Sequence, residues 1–201
     1  MKKLISGLAT GLFILGMSAA SNATTMTTHM TADDAFQLYI STDDSTLGTL
    51  VGSHAWWYDT QTFNLTLTNG VTNYIHIVAW DLYGGPTALL GDFTVSDSNF
   101  KFANNSQDLV TNTVDWKVYT DGFGGTLGTL VSYGVNNSSP TWGTMSGISS
   151  DANWIWDASH EQRYFSTAIY VNSTAVPEPT TMLLFGTGIA GLATVARRKR
   201  N

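Results

Sequence analysis

Two pairs of neighbouring carboxylates and one run of aromatics are the parts of this 201-residue chain whose types and spacing suit chemistry. Asp33-Asp34 opens a stretch with strand character, and adjacent carboxylates at a loop rim offer the hard oxygen ligands that Ca²⁺ takes. Asp43-Asp44 repeats the pair inside a hairpin turn. As ordinary turn or cap residues, both pairs would instead keep a sheet edge soluble. Trp56-Trp57-Tyr58 points to a different chemistry. Successive residues of a strand face opposite ways, so one of the two indoles is expected to be less buried, as a flat apolar platform for the face of a sugar ring. Packed in a core and its rim, the same residues would be structural. Trp154 and Trp156, two residues apart, are expected to share one face as a core pair.

Signatures of catalysis are scarce. His29, His54, His76 and His160 are far apart and form no H-x-x-H or H-E-x-x-H ligand spacing. The sequence holds no G-x-S-x-G elbow and no Gly-rich phosphate loop opening a helix. It holds no cysteine, hence no thiol nucleophile, no zinc-thiolate cluster and no disulfide. Two carboxylates meeting across a cleft, as in glycosidases, would leave no local signature. The expectation is a non-catalytic protein, with an enzyme as the least favoured class.

These residues need a scaffold, and the composition describes one. Residues 24–176 carry three basic side chains (Lys101, Lys117, Arg163) against fourteen acidic ones, a net charge near −11 where the whole chain has −6. Such a surface disfavours nucleic acid and anionic lipid headgroups and favours divalent cations or neutral partners. All seven tryptophans lie in this span, among many Thr, Ser, Asn and Gly residues. That mixture predicts an all-β domain, large enough for a single core. Strands are predicted at residues 35–40, 48–51, 63–67, 74–80, 91–95, 116–119, 129–133 and 164–170, separated by turn clusters such as Thr68-Asn69-Gly70 and Gly84-Gly85-Pro86. In the clearest of them Ile75, Ile77 and Ala79 share one face, and Tyr74, His76, Val78 and Trp80 the other. The pattern predicts a β-sandwich. The hexapeptide at residues 46–51 recurs at residues 126–131 in the same distance from a tyrosine (Tyr39, Tyr119), predicting two similar β-hairpins.

The flanking segments state a route. Lys2 and Lys3, the apolar stretch Leu4 to Met17 and Ser21-Asn22-Ala23 have the order of a signal peptide, cleaved after Ala23. Towards the other end, Pro177-Glu178-Pro179 interrupts regular structure, Met182 to Ala196 is apolar, and Arg197-Arg198-Lys199-Arg200 follows. Fifteen helical residues span about 22 Å against a hydrocarbon core of about 30 Å, which makes a short transmembrane helix with a cytoplasmic basic cluster. The three-part order resembles the PEP-CTERM sorting signal of Gram-negative bacteria. That resemblance implies an inner-membrane intermediate, an exosortase that recognises the tail and removes it near Pro177-Glu178-Pro179, and delivery to the cell surface or an exopolysaccharide matrix. A permanent weak anchor is the alternative.

A second resemblance concerns the middle. Residues 31–40, then Val51-Gly52-Ser53, Trp56 and Gly84-Gly85-Pro86, resemble the galactose-binding-like jelly roll, and Ala152 to Trp156 with Arg163-Tyr164-Phe165 resembles a further strand of such modules. There the latter usually precedes the Asp-Asp segment, which implies a permuted order here or an edge strand supplied by the C-terminal part. Calcium-dependent lectin domains of the protective-antigen type also use an Asp-Asp pair, with further loop ligands. The organisation expected is therefore a signal peptide at 1–23, a jelly-roll-like β-sandwich at 24–176 and a sorting signal at 177–201. Three functions remain open: a carbohydrate-binding module using Trp56, Trp57 or Tyr58 with Ca²⁺ at Asp33 and Asp34, a structural matrix protein, and a glycan-active enzyme.

Overall fold

A computed structural model describes residues 23–159 and 161–172. The expected signal helix, the C-terminal helix, the Pro-Glu-Pro triplet, the basic cluster and His160 lie outside the described residues. Twelve strands follow in chain order: β1 (Thr25–Asp33), β2 (Ala35–Ser41), β3 (Thr49–Ala55), β4 (Gln61–Thr66), β5 (Asn73–Trp80), β6 (Ala88–Val95), β7 (Phe100–Phe102), β8 (Asp108–Val110), β9 (Lys117–Tyr119), β10 (Val131–Val135), β11 (Asn153–Trp156) and β12 (Arg163–Val171). They form two six-stranded antiparallel sheets. One runs β10-β11-β6-β1-β4 with β8 also on β6, the other β3-β2-β5-β12-β7 with β9 also on β12.

Alternation explains the layering. β5 turns Ile75, Ile77 and Ala79 into the core, and β2 adds Phe36 and Leu38 from the same sheet. The opposite sheet answers with Met26, Met30 and Ala32 of β1 and Leu89, Phe93 and Val95 of β6. Residues of both sheets thus form one continuous apolar core, the layering of a β-sandwich. Each large aliphatic or aromatic side chain buried there contributes about 1.5–3 kcal/mol relative to its exposed state.

All eight predicted strands occur, with shifted bounds. β3 starts at Thr49 because Gly48 takes φ +85° in the preceding turn, where a Cβ would stand 2.3 Å from the Ile40 carbonyl oxygen. β1, β7 and β8 have no counterpart among the predicted strands. β1 escapes prediction because the apolar residues it buries are Met26, Met30 and Ala32 rather than β-branched aliphatics or aromatics, and because Thr31 and Asp33, buried as well, break the alternation. β12 is not an edge strand: it lies between β5 on one side and β7 and β9 on the other.

A smaller cluster of Ala88, Leu90, Trp142, Met145, Ile148, Ala152 and Trp154 packs outside the main core. Asn136, fully buried, ties the covering loop down: its Oδ1 accepts the Met145 amide at 2.6 Å, and its Nδ2 donates to the carbonyls of Met145 and Ile148 at 3.0 and 2.9 Å. Trp142 stacks on Trp154 at 4.7 Å. Trp154 and Trp156 therefore do not form a pair. β11 ends at Trp156, where the chain crosses towards β12 of the other sheet, and that indole packs on Phe165 in the main core.

Register also sorts the two ends of the molecule. The start of β1 pairs with the end of β4, and Asn172 donates its amide to the Asn99 carbonyl beside the loop that holds Thr24. Asp33, Ala35, Ala55 and Trp80 gather at the opposite end.

Candidate binding site

Trp56 follows the last residue of β3, and its backbone takes φ 96°, a region that a bulky side chain seldom enters. Its amide donates to the Asp34 carbonyl at 2.9 Å, and its carbonyl accepts the Asp59 amide at 3.4 Å. The turn aims the indole outward. Trp56 is 47 % exposed, Tyr58 59 % and Tyr83 69 %. Tyr83 stacks on Trp56 with ring centres 5.7 Å apart and planes 17° apart, while Tyr58 lies 6.2 Å from Trp56 at 31°. Three exposed rings thus form a ridge.

Trp57 goes the other way. Its ring is half-buried against the smaller apolar cluster, and its carbonyl accepts the Thr31 hydroxyl at 2.7 Å. One indole is indeed more exposed than its neighbour, but the separation comes from the positive-φ turn at Trp56, beyond the strand end, and not from alternation along a strand.

Beside the ridge lies an open concavity of about 460 Å³ on β2, β3 and β5, lined among others by Gln37, Ser53, His54, Trp56, Trp80 and Leu82. That volume suits a small ligand or a segment of a longer one. The Oε1 of Gln37 accepts the Tyr39 hydroxyl at 2.7 Å, which fixes the side-chain amide at the wall of the concavity. Nε2 of His54 lies 3.4 Å from Nε2 of Gln61 and 4.0 Å from the Asp59 carboxylate. Apolar walls with a few polar groups can take a partly apolar, hydroxyl-bearing ligand.

Carboxylates hold the loop that carries Tyr83. Oδ2 of Asp34 accepts the amides of Leu82 and Tyr83 at 2.9 and 3.2 Å, and Oδ1 of Asp81 accepts those of Tyr83 and Gly84 at 2.8 and 2.7 Å. Asp33 is buried, and its Oδ2 accepts the Trp142 indole N–H at 2.7 Å. Burial, with the neighbouring Asp34 carboxyl, pushes Asp33 up from 3.8 to about 7 despite the Trp142 bond. Burial also acts upward on Asp34, but the Asp33 carboxyl and the Leu82 amide outweigh it and hold that group below its ordinary value. Both carboxylates expected as calcium ligands thus spend an oxygen on protein donors. Among the described residues no three His, Cys, Asp or Glu side chains converge as a metal-binding set.

The second pair divides its work. Asp43 caps its own turn, accepting the Ser45 amide at 2.9 Å. Asp44 ties the β2–β3 hairpin to β9, β12 and β5: it accepts Lys117 Nζ at 2.8 Å and the Ser166 hydroxyl, and lies 3.4 Å from Nε2 of buried His76. Phe123 stacks on His76 at 3.9 Å and closes that face.

Beyond the described domain, the tail decides the sorting route. Residues 175–200 match the PEP-CTERM protein-sorting motif. The chain is thereby supported as an exosortase-sorted surface protein, exported by way of the membrane, with an exosortase as processing partner and a C-terminal membrane anchor. The sorting motif covers the tail alone. No curated protein and no solved structure matches the chain.

Tyr83, Leu82, Trp80, Gln37 and Ser53 are the site residues that sequence reasoning missed. A usable signal was present: Leu82-Tyr83 is a bulky pair directly ahead of Gly84-Gly85-Pro86, in a turn with no strand to bury it.

Proposed function

We propose that this PEP-CTERM protein is a non-catalytic carbohydrate-binding module that associates with extracellular polysaccharide, sugar rings stacking on the ridge of Trp56, Tyr58 and Tyr83. One observation carries the reading: a ridge of three exposed aromatic rings adjoins, through Trp56, an open concavity that supplies Gln37, Ser53 and His54 as polar partners. Aromatic faces suit the apolar faces of sugars, and side-chain amides and hydroxyls suit their hydroxyl groups. The strained backbone at Trp56 supports it further, because such strain persists where surrounding structure enforces it and clusters at ligand sites. No Asp or Glu lines the concavity, which favours binding over glycoside hydrolysis. The two-sheet layering agrees with a jelly-roll module. Calcium at Asp33 and Asp34 would have to use the oxygens that Trp142 and the Leu82 and Tyr83 amides leave over.

The test is binding of the full chain to a glycan array and to exopolysaccharide from the producing cells, with and without Ca²⁺. Trp56→Ala and Tyr83→Ala should each weaken binding by about tenfold, given the 1–3 kcal/mol that a stacked ring contributes to a planar ligand. Unaltered binding in both variants would sink the ridge as the site, and loss on chelation alone would return the calcium ligands to it. A structural matrix protein is the second reading. It is favoured by the outer face of the opposite sheet, where the exposed side chains are polar and bond one another, Thr27 to Asn64 and Thr94 to Asp108. That reading predicts no binding to any polymer.

A further inference from the structure

The charges around the ridge restrict what it can hold. Asp34 and Asp81 pin the Tyr83 loop, and Asp59 follows Tyr58 in the turn below Trp56 with its carboxylate 56 % exposed. Among the described residues no Lys or Arg balances them there, and the His54 ring lies 4.0 Å from the Asp59 carboxylate. Arg163, at the same end of the sheets, is buried and committed to Asp157 and Glu161, Lys117 is bound to Asp44, and Lys101 sits on β7 at the far end of β12. Three carboxylates therefore stand near the aromatic platform without a compensating Lys or Arg among the described residues.

Like charges brought together beside the ridge cost free energy, and each acid group along a uronic acid polymer would meet the same carboxylates. We propose that the ridge selects polysaccharide lacking carboxylate or sulfate groups, neutral hexose or amino-sugar chains, and rejects polyuronates. This rests on the carbohydrate-binding reading and gives it a substrate class. The aromatic rings supply attraction to any sugar face, and the carboxylates decide which sugars reach them.

A matched pair of polymers tests it. The full chain, kept in a zwitterionic detergent, is titrated with a panel of neutral glucan, mannan and galactan chains, and then with the best binder oxidised at C6 to the uronate, so that only the carboxylate differs. The expected result is at least about tenfold weaker binding of the oxidised polymer at low salt, with the gap closing as ionic strength shortens the screening length below about 10 Å. Asp59→Lys should narrow the gap between the neutral and the oxidised polymer by about fivefold, the Coulomb effect of two charge units roughly 8 Å away in water. Equal or tighter binding of the oxidised polymer, or a preference that neither salt nor Asp59→Lys alters, overturns the charge selection while leaving the module intact. Binding of anionic polymers alone overturns it as well. Failure of every polymer, neutral and oxidised, overturns the carbohydrate reading itself and this inference with it.

Discussion

Asp33 shows how little a residue's type says about its state. As half of an Asp-Asp pair it reads as a cation ligand or a cap, yet it is buried with Trp142 and pushed up to about 7. A folded-state value above the unfolded 3.8 means that the native protein holds this proton more tightly. Its contribution to stability is complete below about pH 4 and is lost as pH rises towards about 7. His76 acts in the opposite sense: burial lowers it below 6.5, so stability grows as pH rises through its unfolded value. The informative quantity is thus the difference between wild type and Asp33→Asn. The melting temperature of wild type, relative to the variant, should fall steadily between about pH 4.5 and 7.5, and a flat difference over that range refutes the assignment. Asn136 makes a second prediction at this scale. Asn136→Ala strands the Met145 amide and two buried carbonyls, and should cost about 3 kcal/mol in denaturant titration. A loss under about 1 kcal/mol would mean that water replaces the side chain.

Elements add constraints that no single residue carries. β2 and β3 pair with a register shift between Leu38 and Tyr39, and Gly52 opposite this irregularity leaves space that Phe63 of β4 fills. A Cβ at Gly52 would stand 2.3 Å from the Phe63 ring. Gly52→Ala should therefore destabilise by about 1–3 kcal/mol, as overpacking does, and Phe63→Leu should recover part of that loss. Additive losses in the double variant would disprove the contact. The repeated hexapeptide does not give two similar hairpins: the first copy leads into β3, paired with β2, whereas the second makes one isolated antiparallel bridge and runs on into β10 of the other sheet. Tyr39 pairs with Leu50, whereas Tyr119 bridges Leu127, the counterpart of Leu47. The turn ahead of the second copy lies against the first hairpin at Gly124 and Ser45, and Phe123 covers His76. For that reason the second face of β5, which alternation alone leaves open to water, is also buried at His76 and Val78.

At the scale of the molecule, position relative to the tail matters most. Thr24 and Asn172 lie at one end of the sheets, and the sorting motif begins at residue 175. The ridge lies at the other end, about 25–30 Å away along strands of eight or nine residues. A protein still anchored by its tail should thus present Trp56 and Tyr83 away from the bilayer. Full chain reconstituted in vesicles should accordingly bind polysaccharide as tightly as protein released by proteolysis between the domain and the anchor. Binding seen after release only would place the ridge against the membrane. Replacing Pro177-Glu178-Pro179 by alanines should block removal of the tail and raise the mature mass, and normal processing would reject the triplet as the recognition element.

What the sequence determined by itself is whatever depends on local order. Alternation at residues 74–80 sets which side of β5 meets the core, the Thr, Trp and Gly content sets an all-β domain, and the linear sequence of Pro-Glu-Pro, apolar run and basic cluster spells the sorting motif, since a linear signal needs no fold to be legible. Trp56-Trp57-Tyr58 was visible as a candidate for the same reason. Only the tertiary structure decided that Trp56 faces water and Trp57 a second core, that Tyr83 joins the ridge from a loop more than twenty residues away, and that Asp33 and Asp34 support this site from behind. Those facts depend on strand register and on a positive-φ turn. Both are set by long-range pairing and packing, which leave no local trace in the order of residues.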